Sequence, residues 1–230
     1  MNSLTFIVQT CSELTSIKLN SNSIDDSTVI TIAQHCSKLQ TLVIESSKIT
    51  YIFLIVLSER NLPLKELNID CIPNIPTADI AYRCSHALSC IRHVHTYHLH
   101  RNGQYATILL PYLTGLTSVD VNYHADICIP LLTQYCDKLT KIDINICNVT
   151  AIMSLCRANP LLQELALYYA AGITDNSLIE LIHACPQLHT LYLPYETDVT
   201  DIGILALSEQ CPQLKKVLLS SFCQKRPGHS

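Results

Sequence analysis

Cys185-Pro186-Gln187-Leu188-His189-Thr190-Leu191-Tyr192-Leu193, followed by Val199-Thr200-Asp201 and closed by Cys211, is the stretch that decides how this chain is read. Leu191 and Leu193 alternate with Thr190 and Tyr192, the pattern of a short strand with one buried face. Just upstream, Ser177-Leu178-Ile179-Glu180-Leu181-Ile182-His183-Ala184 is apolar at i, i+3 and i+4, which predicts an amphipathic helix. Strand, turn and helix together make one coil of about two dozen residues.

The coil recurs. Leu14, Leu39, Leu64, Leu88, Leu116, Leu139, Leu162, Leu188 and Leu214 follow one another at steps of 25, 25, 24, 28, 23, 23, 26 and 26 residues. Three residues after each stands Ile17, Leu42, Leu67, Ile91, Val119, Ile142, Leu165, Leu191 or Val217. Two further on stands Leu19, Ile44, Ile69, His93, Val121, Ile144, Leu167, Leu193 or Leu219. His93 is the single polar residue in that set. Strands are predicted near 16–20, 41–45, 66–70, 90–94, 118–122, 141–145, 164–168, 190–194 and 216–220, in one domain of about nine repeats over 1–230. The helices between them are expected to start on Asp25, Thr50, Thr150, Thr174 and Thr200, whose side chains can accept from a free helix N–H. Asp175 and Asp201 just inside add charge at the favourable end of the dipole.

C-x-x-L-x-x-L-x-L, then I-T-D, a helix and the next Cys resembles the cysteine-containing class of leucine-rich repeats best known from F-box/leucine-rich-repeat proteins. The resemblance covers about Cys11 to Cys223. It implies an α/β leucine-rich-repeat solenoid, a horseshoe with parallel strands on the concave face and helices on the convex face. It also implies a protein-recognition scaffold, the substrate-binding part of a Skp–cullin–F-box ubiquitin ligase receptor in ubiquitin-dependent protein degradation. No F-box is readable here, so a Skp adaptor and cullin would be reached through a region outside this chain. A non-ligase scaffold or regulator binding its partner on the same face is the alternative. Stacked repeats need polar terminal caps. Neither end shows one, which leaves open a longer protein or ends covered by a partner.

Composition narrows the rest. Of 230 residues, 48% are apolar, enough for a large core, and only 15% are charged. Net charge −4 and a pI near 6.2 lack the basic footprint of a nucleic-acid or membrane-surface binder. The longest purely apolar run, Tyr51 to Leu57, is far short of the ~20 residues that span a bilayer. The N-terminus lacks a basic region and cleavage site, so the twelve Cys are read as reduced thiols of a cytoplasmic or nuclear protein.

Candidate sites lie on the concave face, at residues flanking the buried pair of each strand. Five carboxylates, Glu45, Glu66, Asp70, Asp120 and Asp143, are expected to face one another across neighbouring strands. Tyr168, Tyr192 and Leu218 are expected to align further on and to anchor a protein or peptide whose basic residues reach the acidic stretch. His86, His93, His95, His98 and His100 lie near Cys84 and Cys90, but without paired zinc-ligand spacing. No metal, no cofactor and no catalytic residue is expected. The junction cysteines recur at every turn near helix C-terminal ends, where a thiolate is disfavoured, so they read as packing residues. There is no G-x-G-x-x-G, Walker loop, G-x-S-x-G or H-E-x-x-H.

Overall fold

Each coil buries the apolar side of its strand against the helix that follows, and this alternation is what the computed structural model displays. It describes residues 3–21, 24–45, 48–69, 75–95, 104–122, 124–194 and 197–219. The chain forms two compact units, 1–118 and 119–230, with the boundary inside one strand.

The first unit runs α1 (Ser3–Thr10), β1 (Ser16–Asn20), α2 (Asp26–His35), β2 (Thr41–Glu45), α3 (Ile52–Glu59), β3 (Glu66–Ile69), α4 (Ala78–Arg83), α5 (Ser85–Ser89), β4 (His93–His95), α6 (Gln104–Leu109) and a 3-10 turn at Leu110–Tyr112. The strands β1, β2 and β3 form a parallel sheet in which Ile17 pairs with Leu42 and Leu42 with Leu67. The second unit carries β5 (Ser118–Val121, its first residue shared with the unit before), α7 (Ala125–Tyr135), β6 (Lys141–Asn148), α8 (Val149–Ala158), β7 (Glu164–Ala171), α9 (Asp175–Ala184), β8 (Thr190–Leu193), α10 (Asp201–Gln210) and β9 (Lys216–Leu219). Its strands follow the order β5-β6-β7-β8-β9, with β6 through β9 pairing in parallel.

One backbone rung repeats. In the regular coils the residue after the leading Leu offers its carbonyl to two N–H groups of the next coil. Thr15 O accepts from Gln40 and Thr41 at 2.8 and 3.0 Å, Gln163 O from His189 and Thr190 at 2.9 and 3.1 Å. Inside, Leu42, Ile44, Leu67, Ile142, Leu165 and Leu191 are fully or almost fully buried. Burying a Leu or Ile side chain stabilises by about 1.5–3 kcal/mol, so the stacked ladders are the main source of cohesion.

The fourth coil departs from this. Leu88 and Ile91 are buried as expected, but His93 is half-buried and Val94 takes the inward place. Towards β3 the expected register holds, since Leu67 N donates to Cys90 O and Leu67 bridges to Ile91. Towards the fifth coil the rung carbonyl is Arg92 O, which accepts from Thr117 and Ser118 at 2.9 and 3.0 Å; the motif would give that role to Ser89. The register therefore slips by three residues within 89–92. The Arg92 guanidinium fills the gap, donating to Ser89 O at 2.9 Å, to Gly115 O at 3.1 Å and to Lys65 O. Gly115 must be glycine, because a Cβ there would meet both the guanidinium and Ser89 O.

The helix starts differ from expectation at two places. Asp25, Thr174 and Thr200 cap α2, α9 and α10 as read from the sequence, Thr174 with a capping box. Thr50 sits one residue before the cap position Tyr51 of α3, although its Oγ1 accepts from Ile52 N at 3.3 Å. Thr150 lies inside α8, which Asn148 caps by accepting from Ala151 N at 2.9 Å. Asp175 does more than favour the dipole. Its carboxylate accepts from Thr200 N, Thr200 Oγ1 and Gly203 N at 2.8, 2.7 and 3.0 Å, tying one coil to the next. Asp26 binds Thr50 N and Oγ1 in the same way at 2.8 and 2.5 Å.

Cys36, Cys136, Cys185 and Cys211 end α2, α7, α9 and α10 and are buried, whereas Cys11, in the first coil, is exposed. In one coil the slot holds Asn159, the one buried polar residue among those described. Its Oδ1 accepts from Leu139 N at 2.9 Å and its Nδ2 donates to Leu155 O at 3.1 Å.

Candidate functional site

Because Ile142, Ile144, Leu165 and Leu167 point inward, the alternate residues of β6 and β7 must point to the other side of the sheet. Register then sets their neighbours. Asp143 pairs with Ala166, Ala166 with Tyr192, and Tyr192 with Leu218, forming one rank across the second unit. Tyr168 is not in that rank. The pairing Ile144↔Leu167 followed by Ile146↔Tyr169 puts Tyr168 level with Asn145, one pleat further along. The expected alignment of Tyr168 with Tyr192 and Leu218 is corrected accordingly, for a two-residue step along a strand moves a side chain to the next rank.

Asp120, Asn122, Asp143, Asn145, Tyr168 and Tyr169 line an open groove of about 310 Å³. β6 and β7 are eight residues long, against four or five in most other strands, and this extension carries Tyr168 and Tyr169 beyond the core. The two rings are 50% and 66% exposed. Burial, then the Asp120 charge and a hydrogen bond with Asp120, push the Asp143 carboxyl up, partly offset by Lys141. Lys141 Nζ lies 3.7 Å from Asp143 Oδ2 and 3.8 Å from Glu164 Oε2, a loose ion pair divided between two carboxylates. The Tyr168 phenol is raised by burial and by Asp143, Asp120 and Tyr192, so it stays protonated at neutral pH. Exposed Lys216 places its Nζ 5.0 Å from the centroid of the half-buried Tyr192 ring, a cation–π contact. Leu218, 50% exposed, continues the rank beyond Tyr192.

The carboxylates of the first unit do not gather. Glu45 pairs with Asn20 across the sheet and forms an ion pair with Lys18 at 3.0 Å. Glu66 pairs with Thr41, at the opposite end of β2 from Glu45, and accepts from Asn68 Nδ2 at 2.7 Å. Asp70 lies outside the described residues. The sequence singles out Asp120, Asp143 and Tyr168 of the groove, and alternation puts Asn122 and Asn145 on the same face without marking them as contacts; Tyr169 is the residue it misses. The Tyr168-Tyr169 doublet at the end of a strand was the available signal.

Among the described residues no group of three or more His, Cys, Asp or Glu could hold a metal ion. His86 Nε2 is 2.9 Å from Leu62 O and His93 Nδ1 is 2.9 Å from Ser118 Oγ, each using a ring nitrogen to join its coil to a neighbouring one. The side chain of His95, and His98 and His100 altogether, lie outside the described residues. Burial pushes the thiols of Cys84 and Cys128 up to about 11 and that of Cys136 to about 12, while Cys185 is lowered by its hydrogen bond to Cys156. All four are buried from any substrate.

No family model and no curated protein sequence matches this chain. Solved structures do. A chain of the yeast Rad7–Elc1 complex superposes over 94% of this chain and 72% of its own length, at 15% identity and a TM-score of 0.50. The leucine-rich-repeat protein LegL7 of Legionella pneumophila matches over 95% and 87%, at 13% identity and a TM-score of 0.44. A chain of the TLR13–ssRNA13 complex matches over 91% and 36%, at 15% and 0.44. The fold is the α/β leucine-rich-repeat fold.

Proposed function

We propose that this chain is a protein-recognition scaffold whose partner, a protein or peptide, docks on the strand face, and that it serves as the substrate-binding region of an F-box-type ubiquitin ligase receptor. The observation that carries the docking role is the groove in which exposed Tyr168 and Tyr169 stand beside the Asp120–Asp143 pair. Tyrosine supplies large contact area and a hydroxyl at low entropy cost, which is why it concentrates in binding hot spots. Tyr192 and Leu218 extend the surface, and Glu45, Glu66 and Asp70 would add contacts in the first unit. The fold likeness to yeast Rad7, seen in complex with Elc1, is in keeping with a role in protein assemblies.

The reading treats 1–230 as one repeat domain of about nine repeats. It gives the chain no catalytic residue, metal or cofactor, leaving chemistry to other subunits, and no nucleic acid or membrane as partner. No described helix is long and apolar enough to cross a membrane, and the nine described cysteines are free, in keeping with a cytoplasmic or nuclear setting. A non-ligase scaffold or regulator using the same face is the second reading, and the strand-face groove supports it equally. Affinity purification of the full-length gene product decides between them. Copurified Skp adaptor and cullin support the ligase role; their absence, with a partner still held in a manner sensitive to Tyr168→Ala plus Tyr192→Ala, supports the scaffold.

A further inference from the structure

The groove is small and its chemistry is lopsided. At about 310 Å³ it sits at the low end of the size range for sites that enclose a whole small molecule, and it opens to solvent on a strand face. It suits one side chain laid in from a docked peptide. Carboxylates from two adjacent strands, Asp120 and Asp143, line it, near enough for each charge to act on the other. Asn122 and Asn145, one pleat along, line the same space. Lys141 lies at 3.7 Å from Asp143 and is shared with Glu164, so one divided ammonium does not cancel the charge of the pair. The walls are the two exposed tyrosine rings.

Carboxylates alone would not make a site. Here they meet a groove, flat aromatic surface and further amide oxygens, and this combination discriminates among cations. An ammonium is a compact point charge that stays strongly hydrated. A guanidinium is planar, presents five donors in a rigid fork, and stacks on aromatic faces.

We propose that this groove receives the guanidinium of an arginine side chain from the docked peptide, held edge-on by Asp120 and Asp143 and face-on by Tyr168. This deepens the docking role proposed above and rests on it. Asp143 provides the charge, Tyr168 the stacking surface, and Asn122 and Asn145 accept the outer N–H groups.

The test is an NMR titration of the whole 230-residue chain with Nα-acetyl-arginine methylamide, with the lysine and citrulline analogues as parallel probes. Citrulline keeps the shape and loses the charge. The expected result is saturable shifts at Asp143, Asn145 and Tyr168, with binding at least tenfold weaker for citrulline and severalfold weaker for lysine. Asp143→Asn, which keeps the side-chain size and leaves the melting temperature unchanged or higher, weakens arginine binding at least tenfold. Tyr168→Ala weakens it severalfold. Equal binding of arginine and citrulline, equal binding of arginine and lysine, or unchanged arginine binding in Asp143→Asn overturns the inference. Failure here is distinguishable from failure of the docking role. If an identified partner binds Asp143→Asn as it binds the native chain but loses affinity with Tyr168→Ala plus Tyr192→Ala, docking stands and the arginine does not.

Discussion

Residues 85–118 of the first unit and 136–219 of the second solve the same problem in different ways. In the second, each coil meets the next through the same backbone rung: Thr140 O, Gln163 O and His189 O each take two N–H groups. In the first, the rung is interrupted after β3, and one side chain, Arg92, serves three backbone carbonyls instead. The contrast teaches that a repeat can absorb a three-residue slip when a multidentate side chain replaces lost backbone partners. The cost is a local dependence on one Arg and one Gly, where the regular coils spread the load over many interchangeable Leu and Ile.

The sharpest way to break that comparison is Gly115→Ala. A Cβ at this position has nowhere to go without expelling the Arg92 guanidinium, so chemical denaturation should show a loss of about 3 kcal/mol, as for overpacked cores. A Gly→Ala gain in stability would contradict the clip. Asn159→Ala probes the regular region at its one polar slot. It leaves Leu139 N buried without its side-chain acceptor, and equilibrium unfolding should register a loss of about 2 kcal/mol. Arg92→Met should cost less, about 1 kcal/mol, because Lys65 is exposed and Ser89 half-buried, so two of the three carbonyls can recruit water although Gly115 is buried. A loss larger than that of Asn159→Ala would show the clip to be drier than its exposure suggests.

The smallest effect concerns the Asp–Thr clamp. Hydrogen bonds from Thr200 hold the Asp175 carboxyl below its usual range. A lowered folded-state value means the contribution is present above the unfolded carboxylate value and fades as pH falls through the folded one. Asp175 is half-buried at the surface, where solvent still screens its carboxylate, so the effect is about 1 kcal/mol. Asp175→Asn should accordingly flatten the acid limb of a melting-temperature profile slightly and leave pH 7 to 8 unaltered in slope.

The coil period was legible because in the inner coils the L-x-x-L-x-L positions are the ones that water cannot reach: Leu39, Leu42 and Ile44 are fully buried in the order the spacing implies. In the first and last coils, by contrast, Leu14, Leu214 and Leu219 are half-buried and Val217 is exposed. His93 misled because the motif assigns places by counting, whereas the chain slipped once Arg92 found Ser89 O and Lys65 O. Thr150 misled because Asn148, two residues earlier, caps equally well and lies at the end of a longer strand. Most of the candidate groove was legible, since Asp120, Asn122, Asp143, Asn145 and Tyr168 occupy outward positions by simple alternation. Tyr169 depended on the extra length of β7, which no local pattern announces. The register, with Ala166 opposite Tyr192, separates Tyr168 from Tyr192 by one rank.

Everything assigned to the strand face depends on which side of each strand is inside, and thermal unfolding of the adjacent variants Leu193→Ala and Tyr192→Ala measures that directly. Leu193 is 3% exposed, and its truncation should cost about 2–5 kcal/mol, lowering the melting temperature by about 5–15 °C. Tyr192→Ala should shift it by no more than about 2 °C. Equal losses at both positions, or the larger loss at Tyr192, would mean that the proposed recognition face is the packed one.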